Sequence, residues 1–171
     1  MRRPCIAVLV SGLLALGMGC SSDPSKGYSF ASSYDQRVRS ISVSVFENQT
    51  FHPGIEADLG AALIRRVQRD TPWRVLNPES AQTVLEGTIT DVQISRAAQD
   101  DDGAISQQVA LRMRADFVWR SAITGRVLAE RRGLGITETF LPAAGEPIEL
   151  GLSAATQEMA DAILEAMRSV W

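Results

Sequence analysis

The stretch Val109-Ala110-Leu111-Arg112-Met113-Arg114-Ala115-Asp116-Phe117-Val118-Trp119-Arg120 decides how this chain folds. Val109, Leu111, Met113, Ala115, Phe117 and Trp119 fall on one side of an extended backbone. Arg112, Arg114, Asp116 and Arg120 fall on the other. A period of two is the mark of a strand with one face on a core and one toward water. From Gln107 to Arg120, at ~3.4 Å per residue, such a strand runs ~45 Å, so part of it is expected to project beyond the sheet.

The neighbours of this strand follow from turn chemistry. Ser121-Ala122-Ile123-Thr124-Gly125 predicts a hairpin turn, with Arg126 to Phe140 returning as the last strand. Gly133 and Gly135 allow that strand to bend. On the other side, Thr83 to Ser95 predicts a strand whose phase slips. Leu85, Gly87 and Ile89 share a face, and then Val92 and Ile94 take it over, which predicts a bulge. Asp100-Asp101-Asp102-Gly103 between the two strands reads as a solvated hairpin tip, because the spaced ligands of a calcium loop are absent.

Further toward the N-terminus, Ile41-Ser42-Val43-Ser44-Val45 alternates and predicts a half-buried strand. Loop residues follow from Phe46 to Gly54. From Ile55 the period changes to helical: Ile55, Leu59, Ala62, Leu63 and Val67 form one stripe. Acids open this helix and arginines close it, as the helix dipole favours, and Asp70-Thr71-Pro72 ends it. Trp73 to Leu76 is a short strand, parallel to the first across the helical crossover. Asn77 to Gln82 reads as a turn. A closing helix carries Leu152, Ala155, Met159, Ala162, Ile163, Ala166 and Val170 on one stripe. The order strand-helix-strand-strand-strand-strand-helix defines an α+β fold with a mixed sheet of four to five strands.

Composition narrows the function. The chain has 171 residues, 45% hydrophobic and 22% charged, which suits one folded domain and excludes a largely disordered chain. The 17 basic residues are outnumbered by 20 acidic ones, which argues against a nucleic-acid partner. One histidine, His52, and two cysteines, Cys5 and Cys20, are too few ligands for a zinc site, so neither a metal nor another cofactor is expected. The glycine-rich phosphate loop and the serine nucleophile elbow are both missing from the sequence. His52 lies in a loop, and the acids are dispersed without a catalytic spacing. A periplasmic hydrolase would need an active-site cluster, and a non-enzymatic role is expected.

The N-terminus supplies an address. Arg2 and Arg3 precede an uncharged run from Ile6 to Leu16, too short to span a bilayer, which takes ~20 residues. This is the pattern of a secretory signal peptide over residues 1–19. Gly17-Met18-Gly19-Cys20 resembles a bacterial lipobox, although Gly17 stands where leucine is preferred and Met18 where a small residue is usual. The plainer reading is a signal peptide that happens to contain Cys20. Two details favour lipidation: Cys20 would otherwise be an unpaired thiol in an oxidising compartment, and the Ser-rich segment after it suits a tether. Residues 20–36 then form a lipidated N-terminus and linker, with an acyl anchor such as palmitate on Cys20. Cleavage before Cys20 removes Arg2 and Arg3, leaving 15 basic against 20 acidic side chains, or −5.

Within that acidic chain the last hairpin gathers arginines. Arg112, Arg114 and Arg120 lie on one strand, and Arg126, Arg131 and Arg132 on its partner. Guanidinium forks bind phosphate and carboxylate in a bidentate way. The bland alternative is a solvated face paired with Asp116, Glu130 and Glu138. The candidate binding residues are Arg112, Arg114, Arg126 and Arg132.

The order of these parts resembles the LptE family of lipopolysaccharide-assembly lipoproteins, in a divergent form. Cys20 is followed by Gly27-Tyr28-Ser29-Phe30, and the first strand runs into Phe46-Glu47-Asn48. A helix begins Pro53-Gly54-Ile55-Glu56, and Leu85-Glu86-Gly87-Thr88-Ile89 is like the family's third strand. Thr124-Gly125-Arg126-Val127-Leu128 resembles its hairpin turn, and a helix closes the chain near Trp171. The resemblance implies one LptE-like domain over 37–171, with two helices packed on one face of the sheet. It implies a lipid anchor in the outer membrane, on the periplasmic side. It also implies a role as partner and plug of an LptD barrel in lipopolysaccharide transport. A lipoprotein of the curli-secretion or peptidoglycan-synthase-activator type, which has a similar first strand, stays open as another class.

Overall fold

A computed structural model describes residues 37–96, 109–140 and 148–168. The signal segment 1–19, Cys20, the linker to residue 36, the Asp100–Gly103 tip, the loop 141–147 and residues 169–171 lie outside the described residues.

The long alternating stretch is a strand, β5, Val109–Ser121, and its partners are β4, Thr83–Arg96, and β6, Val127–Phe140, both antiparallel to it. Before them come β1, Ser40–Val43, β2, Glu47–Asn48, helix α1, Ile55–Asp70, and β3, Arg74–Val75. Helix α2, Ile148–Arg168, closes the order. The sheet runs β3-β1-β4-β5-β6, with β2 continuing beside β4. β1 pairs in parallel with both β3 and β4.

Register explains the phase changes. β4 shifts between Ile89 and Asp91, so Val92 and Ile94 face the same way as Leu85 and Ile89. This is the bulge that the slipped pattern predicts. β6 carries two irregularities. Ala115 opposes Leu134 and Phe117 opposes Arg131, so β6 has one extra residue near Gly133, whose φ of 63° suits glycine. Asp116 Oδ1 accepts the Gly133 N–H at 2.6 Å and pins that bend. A second extra residue lies between Val127 and Ala129.

The first strand departs from its expected form. Ser40, Ile41 and Ser42 are all buried, because β1 lies inside the sheet between two neighbours. The strand ends at Val43, and Val45 is 79% exposed. Val43 opposes Leu85 and Glu47 opposes Thr88, so the β1–β2 segment has one residue more than β4 over this span. The insertion turns Val45 outward and Phe46 into the core. Gly87 makes room for it: a Cβ there would stand 2.2 Å from the Phe46 ring and 2.5 Å from the Asp116 carbonyl oxygen.

Both helices lie on one face of the sheet, α1 against β1–β3 and α2 against β5–β6 and α1. α1 buries Ile55, Leu59, Ala62, Leu63 and Val67, the stripe its sequence predicts. α2 is turned somewhat from its predicted stripe. Ala160, Leu164 and Met167 are buried, while Ala162 and Ala166 are half-buried. The reason is that α2 packs on two neighbours at once, so its covered arc is wider than one stripe. Phe117, Trp119, Leu59, Leu63, Met159 and Ile163 join in one cluster, with the Trp73 and Trp119 rings 5.0 Å apart. The Arg66–Asp161 ion pair ties the two helices at their outer edge.

Candidate functional site

The side of β4, β5 and β6 away from the helices carries the arginines. Alternation along β5 puts Leu111, Met113 and Ala115 at 0% exposure and leaves Arg112 and Arg114 exposed between them. Across the strands, Arg112 faces Gln93 and Thr137, and Arg114 faces Asp91 and Gly135. The Arg114 Cγ lies 3.7 Å from where a Cβ on Gly135 would stand, so its stem lies over that glycine. Asp91 accepts a hydrogen bond from Gln93 Nε2 at 3.0 Å. Among the described residues, neither Arg112 nor Arg114 has an acidic partner within ion-pair distance.

The other arginines of the hairpin differ. Arg120 is held by Glu86 through two hydrogen bonds, at 3.1 and 2.8 Å, and the carboxylate raises its pKa above the ordinary arginine value. Arg132 is 82% exposed and pairs with Glu130 at 3.1 Å. Arg126 is exposed at the turn, where its carbonyl oxygen accepts the Ser121 N–H. The structure thus brings Arg112 and Arg114 together on one face, with Arg132 on the neighbouring strand. It separates Arg126 from them: Arg114 to Arg120 alone is ~20 Å of extended strand, and the turn lies beyond. Arg120 and Arg132 have acidic partners, as a solvated face would. Glu86 is one that the spacing of acids on the last hairpin could not reveal.

Beside the arginine pair the same face turns acidic. A shallow groove of about 320 Å³ is lined by Glu47, Glu86, Gly87, Thr88, Asp116, Phe117 and Val118. No group of three His, Cys, Asp or Glu side chains among the described residues could hold a metal ion. Among the described residues, the face carries Arg112 and Arg114 without acidic partners, bordered by acids. Chemically it can receive a phosphate or carboxylate and orient it.

The Phe46-Glu47-Asn48 segment acts structurally. Asn48 Nδ2 donates to the His52 carbonyl at 2.9 Å and to Glu56 Oε2 at 2.7 Å, and its Oδ1 accepts from the Thr50 N–H at 2.9 Å. Glu56 also accepts the Gly54 N–H at 3.1 Å, which ties the loop to the first turn of α1. These hydrogen bonds, its own backbone N–H first and Asn48 second, hold the Glu56 carboxyl below its usual pKa. The Asn-x-Thr spacing ahead of Pro-Gly was the available signal for this loop. His52 contributes its backbone to it.

The family model for LptE, lipopolysaccharide assembly, matches residues 38–169. The chain belongs to that family, one of non-enzymatic lipoproteins. Comparison with the curated proteins gives no match. Among solved structures, a Xanthomonas campestris protein is similar at a TM-score of 0.54 and 10% identity, covering 77% of this chain and 86% of that one. A minor lipoprotein from Acinetobacter baumannii has a TM-score of 0.50 and 13% identity, covering 78% and 94%. At these identities they show the fold alone. No helix of the described residues is long and apolar enough to cross a membrane.

Proposed function

We propose that this chain is an outer-membrane lipoprotein, anchored through Cys20 on the periplasmic side, that partners and plugs an LptD-like barrel in lipopolysaccharide transport. Arg112 and Arg114, with Arg132 beside them, meet lipopolysaccharide phosphates or acids of the barrel lumen. Arg126 is the outlying member of the set. The observation that carries this reading is the exposed, unpaired Arg112–Arg114 pair in a member of a lipopolysaccharide-assembly family whose mature chain is acidic. Arginines kept without partners on a net-acidic chain are available to an external anion.

The test is the double change Arg112→Glu, Arg114→Glu. One exposed pair is worth only ~0–1 kcal/mol, so a single change is too small to read. The double variant should keep its melting temperature and lose lipopolysaccharide binding or barrel assembly. Parent binding should weaken as salt rises, because exposed charges are screened over ~8–10 Å at 0.1–0.15 M. Unchanged binding and assembly by the folded double variant at low salt would defeat the assignment of this face. A pull-down from solubilised outer membrane that returned a secretion pore or a synthase would replace the barrel as partner.

A further inference from the structure

The two ends of the sheet differ in a way that the arginine face does not use. β1 begins at Ser40, so the chain enters the sheet at Arg37 to Arg39. Three other segments meet it there. The Arg39 N–H donates to Gln82 Oε1 at 2.8 Å, the Ala122 N–H donates to the Gln82 carbonyl at 2.8 Å, and the Arg74 N–H donates to the Arg39 carbonyl at 3.0 Å. The start of β1, the start of β3, the turn before β4 and the β5–β6 turn therefore form one end.

This end is basic and carries exposed apolar side chains. Arg39, Arg74 and Arg126 are exposed there. Ile123 is 80% and Val127 50% exposed in and beside the hairpin turn. A shallow groove joins Val38, Gln82, Thr83, Ile123, Arg126 and Leu128. Glu79 also lies in the turn before β4, while Asp70 is tied to Arg66 and Arg69. The opposite end has exposed apolar residues too, Phe51 at 100% and Leu150 at 54%, but in acidic company. Glu56 and Asp58 open α1 there, and Glu149 opens α2.

The geometry points to the basic end as a membrane-contact surface, seated on the anionic headgroup layer of the bilayer that holds the anchor. The inference rests on the lipidated Cys20 of the proposed function. Sixteen residues separate Cys20 from Arg37, a reach of at most ~55 Å, and they lead into this end of the sheet. Ile123 and Val127 would sit at the headgroup boundary, and the arginines would meet lipid phosphates. Arginine near an anionic surface contributes about fivefold to binding per residue. Arg112 and Arg114 lie on the outer face of β5 toward the other end, so the acids there, Glu56, Asp58 and Glu149, set only the helix-side rim against an anionic surface. The entry of the tether beside Arg39, Arg74 and Arg126 turns the basic end down.

The mature chain has no cysteine after Cys20, so Ile123→Cys and Phe51→Cys each give the lipidated protein a single free thiol. Each is labelled with an environment-sensitive fluorophore and placed on vesicles of phosphatidylethanolamine and phosphatidylglycerol, without a barrel. The label at 123 should shift to the blue and be quenched by acrylamide several-fold less than the label at 51. Adding Arg39→Glu and Arg126→Glu should abolish that protection. Equal quenching at 123 and 51 in protein that floats with the vesicles overturns the membrane-contact surface and leaves the anchor standing. Protein that fails to float overturns the anchor and this surface together.

Discussion

The two faces of β5 alternate residue by residue and have opposite fates. Toward the helices, Val109, Leu111, Met113, Ala115, Phe117 and Trp119 are exposed by no more than 3%. Away from them, Arg112 and Arg114 are open to water. Neighbours in sequence thus differ in what a substitution can do. A change on the inner face alters volume in a packed core, where a cavity is costly. A change on the outer face alters charge in a high-dielectric setting, where stability hardly responds and recognition does.

The largest effects should come from the inner face. Phe117→Ala should cost about 3–5 kcal/mol, the usual range for emptying a buried phenylalanine site. Gly87→Ala should cost a comparable amount by the opposite route, since its new methyl would meet both the Phe46 ring and the Asp116 backbone. Denaturant melts of the two variants check this. If both stay within about 1 kcal/mol of the parent, the inner and outer faces of the sheet have been assigned wrongly.

A smaller effect belongs to the loop between β2 and α1. Asn48→Ala removes the contacts to His52, Thr50 and Glu56 together and should cost about 1–3 kcal/mol, as a polar network loses its centre. It should also change the pH response. The Glu56 pKa is lowered in the fold, so its contribution is present in full above the ordinary carboxylate value of 4.5 and is lost as pH falls through and below it. Parent and Asn48→Ala melts should therefore converge toward acid pH. A constant gap between them from pH 7 to pH 3 would remove Glu56 from the account.

The smallest effect marks the outer face. Arg114→Ala should move stability by no more than about 0.5 kcal/mol, the usual bound for a surface change. A larger loss would mean that the Arg114 stem over Gly135 supports the sheet and that the two faces are less separate than their exposure implies.

Part of the fold was readable in the sequence alone. The alternation of β5 gave its two faces, since a strand's side chains must point to opposite sides. The α1 stripe from Ile55 to Val67 was equally local, and so was the β4 slip, because a shift of parity within one strand leaves a trace in the order of apolar residues. The exposure of Arg112 and Arg114 followed from the same period.

Other features depended on residues distant in the chain. Val45 continues the apolar alternation of β1, yet it points outward. The turn is decided by an extra residue opposite β4 and by the space that Gly87 leaves for Phe46. Arg126 counts with the arginines of the hairpin, yet it stands at the far end of the strands from Arg112 and Arg114. Arg120 takes its partner Glu86 from another strand, 34 positions earlier. Local periodicity states which way a side chain points, because backbone geometry repeats every two or 3.6 residues. Which charge it meets, and at which end of the sheet it stands, depends on strand order and register, and those are chosen by the packing of the whole core.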